Sequence, residues 1–251
     1  MLGQFYVRDM RNRYLGSISG ALWVILHPAF LLALYTFLIA GVLKARIPEL
    51  PAELWLPYVA LGLWPWMCFS DGLQRGCGAV MEHAGLLGKV ALPSELLVAA
   101  SVLASFTLHV GGLIAVLIGL KLFGYPVAIR QAWVLLPLLS VLLVFTLGTA
   151  WIAAAIQVYV RDLAQFLSQV LGFLFFLTPI LYAPSMFPPS LAAYLSLNPL
   201  SYYPTTARAW LLFGEGSFAL TDAYALLVAL VSGVLGYWFF RRLARHFEDF
   251  L

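Results

Sequence analysis

Six apolar runs leave this chain few ways to fold: about 21–43, 57–76, 97–120, 132–157, 163–183 and 220–240. Each is near the roughly 20 residues a helix needs to cross a bilayer core. Together they take up more than half of the 251 residues. Within lipid a helix satisfies its own backbone, which an extended or irregular segment cannot do. Only 10% of the residues are charged and 63% are hydrophobic, whereas a soluble domain carries roughly 25% charge. Such a chain cannot cover a water-facing surface. The expected fold is an all-α integral membrane protein with six transmembrane helices in one domain. The second run is the weakest, because Asp71 and Arg75 lie near its end. Four residues apart, they share a helix face and can pair there, close to the inner interface.

Six crossings put both termini on one side. Arg8, Arg11 and Arg13 precede the first run, and Arg241, Arg242 and Arg245 follow the last. With Arg75, Lys89 and Arg161 that side holds nine basic residues. The other side holds five: Lys44, Arg46, Lys121, Arg130 and Arg208. The bias predicts cytoplasmic termini, although Lys44 and Lys121 end their spans and can snorkel.

Two stretches are not spans. In "LGQFYVRDMRNRY", residues 2–14, Leu2, Tyr6, Met10 and Tyr14 recur every fourth position with Phe5 beside them. Arg8, Arg11 and Arg13 fall largely elsewhere on the wheel. This spacing predicts an amphipathic helix lying in the inner interface over 1–20. The stretch 184–219 is apolar but interrupted by Pro184, Pro188, Pro189, Pro199 and Pro204. No piece between these breaks can span. Re-entrant half-helices are expected here, tolerated only where protein or a water-filled cavity surrounds them. The alternative is a plain extracytoplasmic loop packed on the bundle.

Several function classes lack their residues. His27, His83, His109 and His246 have no second ligand at metal spacing, and no phosphate-binding loop or nucleophile elbow is present. No metal site is expected, and a net charge of +3 is too small to argue for nucleic acid. Cys68 and Cys77 read as buried thiols. His109 stands in an apolar run, where an interhelical hydrogen bond is the favoured role. Carboxylates are missing from the middle of the runs, which argues against proton- or sodium-driven transport. An energy source, if there is one, would lie in another subunit.

Several stretches together resemble the membrane subunits of ABC-type polysaccharide exporters, covering nearly the whole chain in order. They are "RDMRNRYLGSISGALWVILHPAF" at 8–30, "LGLWPWMCFSDGL" at 61–73 and "MEHAGLLGKVALPSELL" at 81–97. "VYVRDLAQFLSQVLGFLFFLTPILY" at 158–182, "LNPLSYYPTTAR" at 197–208 and "FRRLARHFEDFL" at 240–251 complete the set. Each motif alone is weak, and the ordered set is more specific. The Arg-Asp form at 158–182 is closer to O-antigen and teichoic-acid exporters than to capsule exporters.

The resemblance implies a single permease domain over 1–251, with helices 1–5 in 21–183, a re-entrant region in 184–219, and helix 6 with a cytoplasmic tail in 220–251. It implies a second copy of this chain and two copies of a nucleotide-binding subunit. ATP and Mg would belong to that subunit, with no cofactor and no catalysis here. The cargo it implies is a lipid-linked polysaccharide. Glu82, His83, Leu86, Leu87, Lys89, Arg161 and Asp162 are then expected to contact the ATPase. A short helix is expected within 81–95. Arg161 and Asp162 also have a plainer reading, as a topology signal and a helix cap. Sugar rings pack their C–H faces on aromatic rings, so Trp64, Trp66, Phe69, Phe173, Phe176 and Tyr182 are candidate channel residues. Lipid anchoring or helix packing is the alternative for each. Asn198 and Pro199 are the expected turn of an outer gate that Tyr202 and Tyr203 plug. A drug or small-lipid exporter of the same architecture, or a membrane scaffold, would share most of these features.

Overall fold

The computed structural model describes residues 1–14, 23–42, 47, 50–87, 93–247 and 250. Among them there are helices and turns and no strand. Helix α1 is Leu2–Tyr14 and α2 is Trp23–Tyr35, which continues as a π-helical stretch over Thr36–Val42. Helix α3 is Trp55–Glu82, and the four-residue α4 is Ala84–Leu87. Helix α5 is Ser94–Leu122, and α6 is Leu135–Tyr159, led in by a 3-10 helix at Ile129–Val134. Then come α7 (Leu163–Leu177), α8 (Pro189–Leu197) and α9 (Tyr202–Arg208), the last continued as a π turn over Ala209–Phe213. Helix α10 is Leu220–Ala244.

Among the described residues, three stretches are long and apolar enough to cross a membrane: Ser94–Leu122, Ile129–Tyr159 and Leu220–Ala244. The expected second span, 57–76, lies within a 28-residue helix, which continues beyond it through Cys77–Glu82. The expected fifth span stops early, at Leu177. The reason is local. Thr178 precedes Pro179 and takes an extended backbone, φ −101° and ψ 133°, as a residue before proline prefers.

Helix α3 is the centre of the bundle and packs on α5, α6, α7 and α9. Its glycines allow this. A side chain at Gly72 would meet Thr146 and Phe106, and one at Gly76 would meet Ala150 and Val102. Small residues four apart bring two helices close enough for dense van der Waals contact, which drives association where lipid supplies no hydrophobic difference. The same device joins α6 to α10. A Cβ on Gly236 would strike the backbone of Gly148, and one on Gly148 would strike Ser232.

Helix α1 packs against α5. Leu2, Phe5, Tyr6, Asp9 and Met10 are half-buried, while Gln4, Val7, Arg8 and Arg11 are exposed. The helix thus has a half-buried face, which includes Asp9, and an exposed face that carries Arg8 and Arg11 together with Val7.

Candidate functional site

Two ends of the bundle collect the residues of interest. One carries the turn between α6 and α7. Gln157, buried in α6, organises it: its Nε2 donates to Arg161 O at 2.8 Å and its Oε1 accepts from Ala164 N at 2.8 Å. The first bond ends α6 and the second begins α7, so one side chain serves two helix termini. The Cys77 thiol of α3 lies 3.7 Å from the same Oε1. Arg161 and Asp162 are exposed on this turn. Glu82 is exposed at the end of α3, and His83 Nδ1 is 2.9 Å from Ala79 O. The backbone of Leu86 and Leu87 lies in α4. Lys89 and the rest of 88–92 lie outside the described residues, as does the side chain of Arg13.

Above this end, α3 and α5 share a polar cluster. Arg75 Nε donates to Asp71 Oδ1 at 2.8 Å, the pair expected from their spacing. Ser105 Oγ donates to Asp71 Oδ2, and His109 Nε2 lies 3.4 Å from that oxygen. The histidine of the third apolar run therefore faces a carboxylate on the neighbouring helix. Bonds of this kind join helices where water is absent. At the same end Arg241 Nη1 reaches Glu95 Oε1 at 2.5 Å, which ties α10 to the start of α5.

The opposite end is built around Arg208. By position it reads as one of the loop cations, yet the structure buries it to 2% exposure. Its Nε donates to Tyr58 O at 2.9 Å, Nη1 to Pro179 O at 2.6 Å and Nη2 to Ile180 O at 2.7 Å. The guanidinium lies 3.5 Å from the Tyr58 ring centroid. Gly62 leaves the space, since a side chain there would meet Arg208. The two carbonyls beyond α7 belong to backbone that the Thr178–Pro179 break removes from the helix. A planar donor fork satisfies both and adds a third from α3. Tyr58 extends the clamp, its hydroxyl donating to Tyr182 O at 3.0 Å. No sequence motif marks this cation. Its signals are an arginine within a proline-broken apolar stretch and a distant Thr-Pro.

Asn198 completes this end. Its Nδ2 donates to Leu177 O at 3.2 Å and Thr178 Oγ1 at 3.1 Å, and its Oδ1 accepts from Leu200 N at 3.0 Å. It caps the end of α7 and the start of the Pro199–Ser201 turn together. Tyr203 is buried, and Tyr202 donates to Asp222 Oδ1 at 2.6 Å. Asp222 also accepts from Ala219 N at 2.7 Å, so it caps α10 while holding the tyrosine.

The six candidate channel aromatics are not gathered on one surface of the chain. Trp64, Trp66 and Phe69 are buried in the core, Trp64 fully. Phe173 and Phe176 of α7 are 75% and 69% exposed. Tyr182 lies half-buried between these groups and donates to Phe176 O at 2.8 Å. The α7 phenylalanines have free faces, and Trp64 has none.

No family profile matches the chain. Curated proteins do match, over nearly its full length. It is 32% identical to the O-antigen export system permease protein RfbA of Myxococcus xanthus, over 92% of this chain and 86% of that one. It is 25% identical to RfbA of Klebsiella pneumoniae, over 97% and 92%. It is 23% identical to the polysialic acid transport protein KpsM of Escherichia coli, over 94% and 90%. A helical bundle with three membrane-length apolar helices fits what these relatives are, and the chain belongs to the family of ABC-type polysaccharide export permeases.

Proposed function

We propose that the chain is the membrane half of an ATP-driven exporter that moves a lipid-linked, O-antigen-like polysaccharide across the cytoplasmic membrane. The observation that carries this reading is the 32% identity with an O-antigen export permease over 92% of the chain. Two copies form the channel, and two copies of a separate nucleotide-binding subunit hydrolyse ATP. All six apolar runs span, with α7 as a short fifth crossing, and both termini are cytoplasmic.

In this reading the Arg161–Asp162 turn and the Glu82–Lys89 connection face the ATPase. What supports it is the exposure of Arg161, Asp162 and Glu82 and the fixed geometry that Gln157 gives the turn. A rigid turn transmits a push that a loose loop would absorb. Helices α8 and α9 form the outer gate with Asn198 at their turn. The α7 phenylalanines line the passage between two copies, where rings with free faces can meet sugars.

Disrupting the gene tests the reading. Surface polysaccharide should be lost while lipid-linked glycan accumulates inside the cell. Unchanged surface polysaccharide combined with new drug sensitivity would favour a small-molecule exporter instead. Topology is tested separately. In a variant without Cys68 and Cys77, a Ser190→Cys substitution should be labelled from outside intact cells. Labelling only after permeabilisation would reverse the orientation.

A further inference from the structure

The last turns of α10 present two faces, and each is tied to a different segment near the α6–α7 turn. Tyr237 and Arg241, four apart, share the first face. Arg241 Nη1 donates to Glu95 Oε1 at 2.5 Å. The Tyr237 ring meets Trp151 of α6 edge-on, with 5.3 Å between centroids. Trp151 Nε1 in turn donates to Glu95 O at 3.2 Å. The side chain of Glu95 is therefore held by α10 and its backbone by α6. Glu95 stands in the first turn of α5, where the connection that starts at Glu82 ends.

Phe240 and Leu243, three apart, lie on the second face, and the chain beyond α10 extends it. Tyr159, the last residue of α6, donates its hydroxyl to Leu243 O at 3.1 Å. Phe247 is buried to 3% exposure. It packs on Phe240 and Tyr159 at ring-centroid distances of 5.4 and 6.1 Å. Phe250 meets the same Tyr159 ring at 4.6 Å. Two residues after Tyr159 comes Arg161, whose carbonyl Gln157 holds at 2.8 Å. The aromatic clasp thus fixes the end of α6 beside the turn that carries Arg161 and Asp162.

We propose that this end of α10 is a strut joining the two ATPase-facing segments, so that a push on either moves both together with α10. Arg241, Glu95, Tyr159 and Phe247 are its positioning residues. The proposal rests on the reading that the Arg161–Asp162 turn and the Glu82–Lys89 connection face the ATPase. Coupling between sites is carried by packed side chains and rigid elements that both sites bias. A helix end bonded to each segment is such an element. The Arg241–Glu95 pair adds little to stability, because Arg241 is 58% exposed and water screens such pairs. Its removal therefore isolates the mechanical role from the structural one.

The full complex with its nucleotide-binding subunit, reconstituted in bilayer vesicles, tests it through ATP turnover, export per ATP hydrolysed and melting temperature. Arg241→Gln and Glu95→Gln should each lower export per ATP about tenfold, within the usual range of coupling between sites. ATP turnover and melting temperature should stay at parental values. Combined, the two substitutions should lose no more than either alone, since one pair serves one role. Arg241→Lys should restore export. Phe247→Ala should uncouple in the same way. Tyr159→Phe, which deletes only the hydroxyl bonded to Leu243 O, carries the same test if Phe247→Ala misfolds. Unchanged export per ATP in the folded variants overturns the strut. So does a fall of export and turnover in step with melting temperature, which marks a packing contact alone. A parent chain that binds no ATPase is a different failure: it removes the reading beneath the proposal, and the proposal with it.

Discussion

Helices α3 and α10 are similar in length, 28 and 25 residues, and opposite in character. Helix α3 contains Asp71, Gln74, Arg75 and Glu82, and it falls outside the helices that length and apolarity mark as membrane-crossing. Yet from Trp55 through Phe69 it is almost wholly buried. Helix α10 is apolar enough to cross by itself, and only 22% of its best apolar window is buried in the chain. Hydropathy thus marks α10, whose side chains the rest of the chain leaves largely uncovered, and passes over the enclosed α3. The central helix can be more polar, because neighbouring helices supply its partners: Ser105 and His109 for Asp71, and Thr146 and Ala150 against its glycines. Apolarity is a demand made by lipid, and a helix shielded from lipid is released from it.

Breaking the clamp on α3 should have the largest effect. Arg208→Met removes the buried donor fork from Tyr58 O, Pro179 O and Ile180 O. The expected loss is on the order of 4 kcal/mol, read as a fall in unfolding free energy in detergent. Arg208→Lys should recover little, since a point charge lacks the planar fork. Full stability in Arg208→Met would mean that the carbonyls find other donors and that α3 is not anchored here.

A smaller effect is expected where α10 does make close contact. Gly236→Val forces α10 away from the Gly148 backbone and should cost about 2 kcal/mol by overpacking. A variant as stable as the parent would show that the α6–α10 crossing is loose. The smallest effect sharpens the contrast from the other side. Leu227, on the exposed face of α10, is 60% exposed. Leu227→Ala should change stability by no more than about 0.5 kcal/mol. A large loss would reveal a protein partner on that face, a second copy of this chain being the first to test by cross-linking.

Much of this was legible from residues alone. The apolar runs locate the long helices, because chain length and lipid thickness are linked by the helical rise. The face of α1, the Asp71–Arg75 pair and the position of the break at Asn198 follow from local spacing. The two small-residue pairs, Gly72 with Gly76 and Ser232 with Gly236, were also available as a spacing signal. Others were not. Trp64 reads equally as a channel ring or a core ring, since periodicity names a face and not what covers it. Gln157 is an unremarkable polar residue near a helix end until the turn brings Arg161 O and Ala164 N to it.

Sequence by itself determined which segments are apolar and helical and where proline breaks them, because those properties depend on near neighbours and on the solvent. Tertiary structure alone decided the fate of Arg208. A cation 150 residues from Tyr58 along the chain is a surface charge by every local criterion. It became a buried clamp because the Thr178–Pro179 break exposes carbonyls, Gly62 leaves room beside them, and backbone removed from water must find a donor.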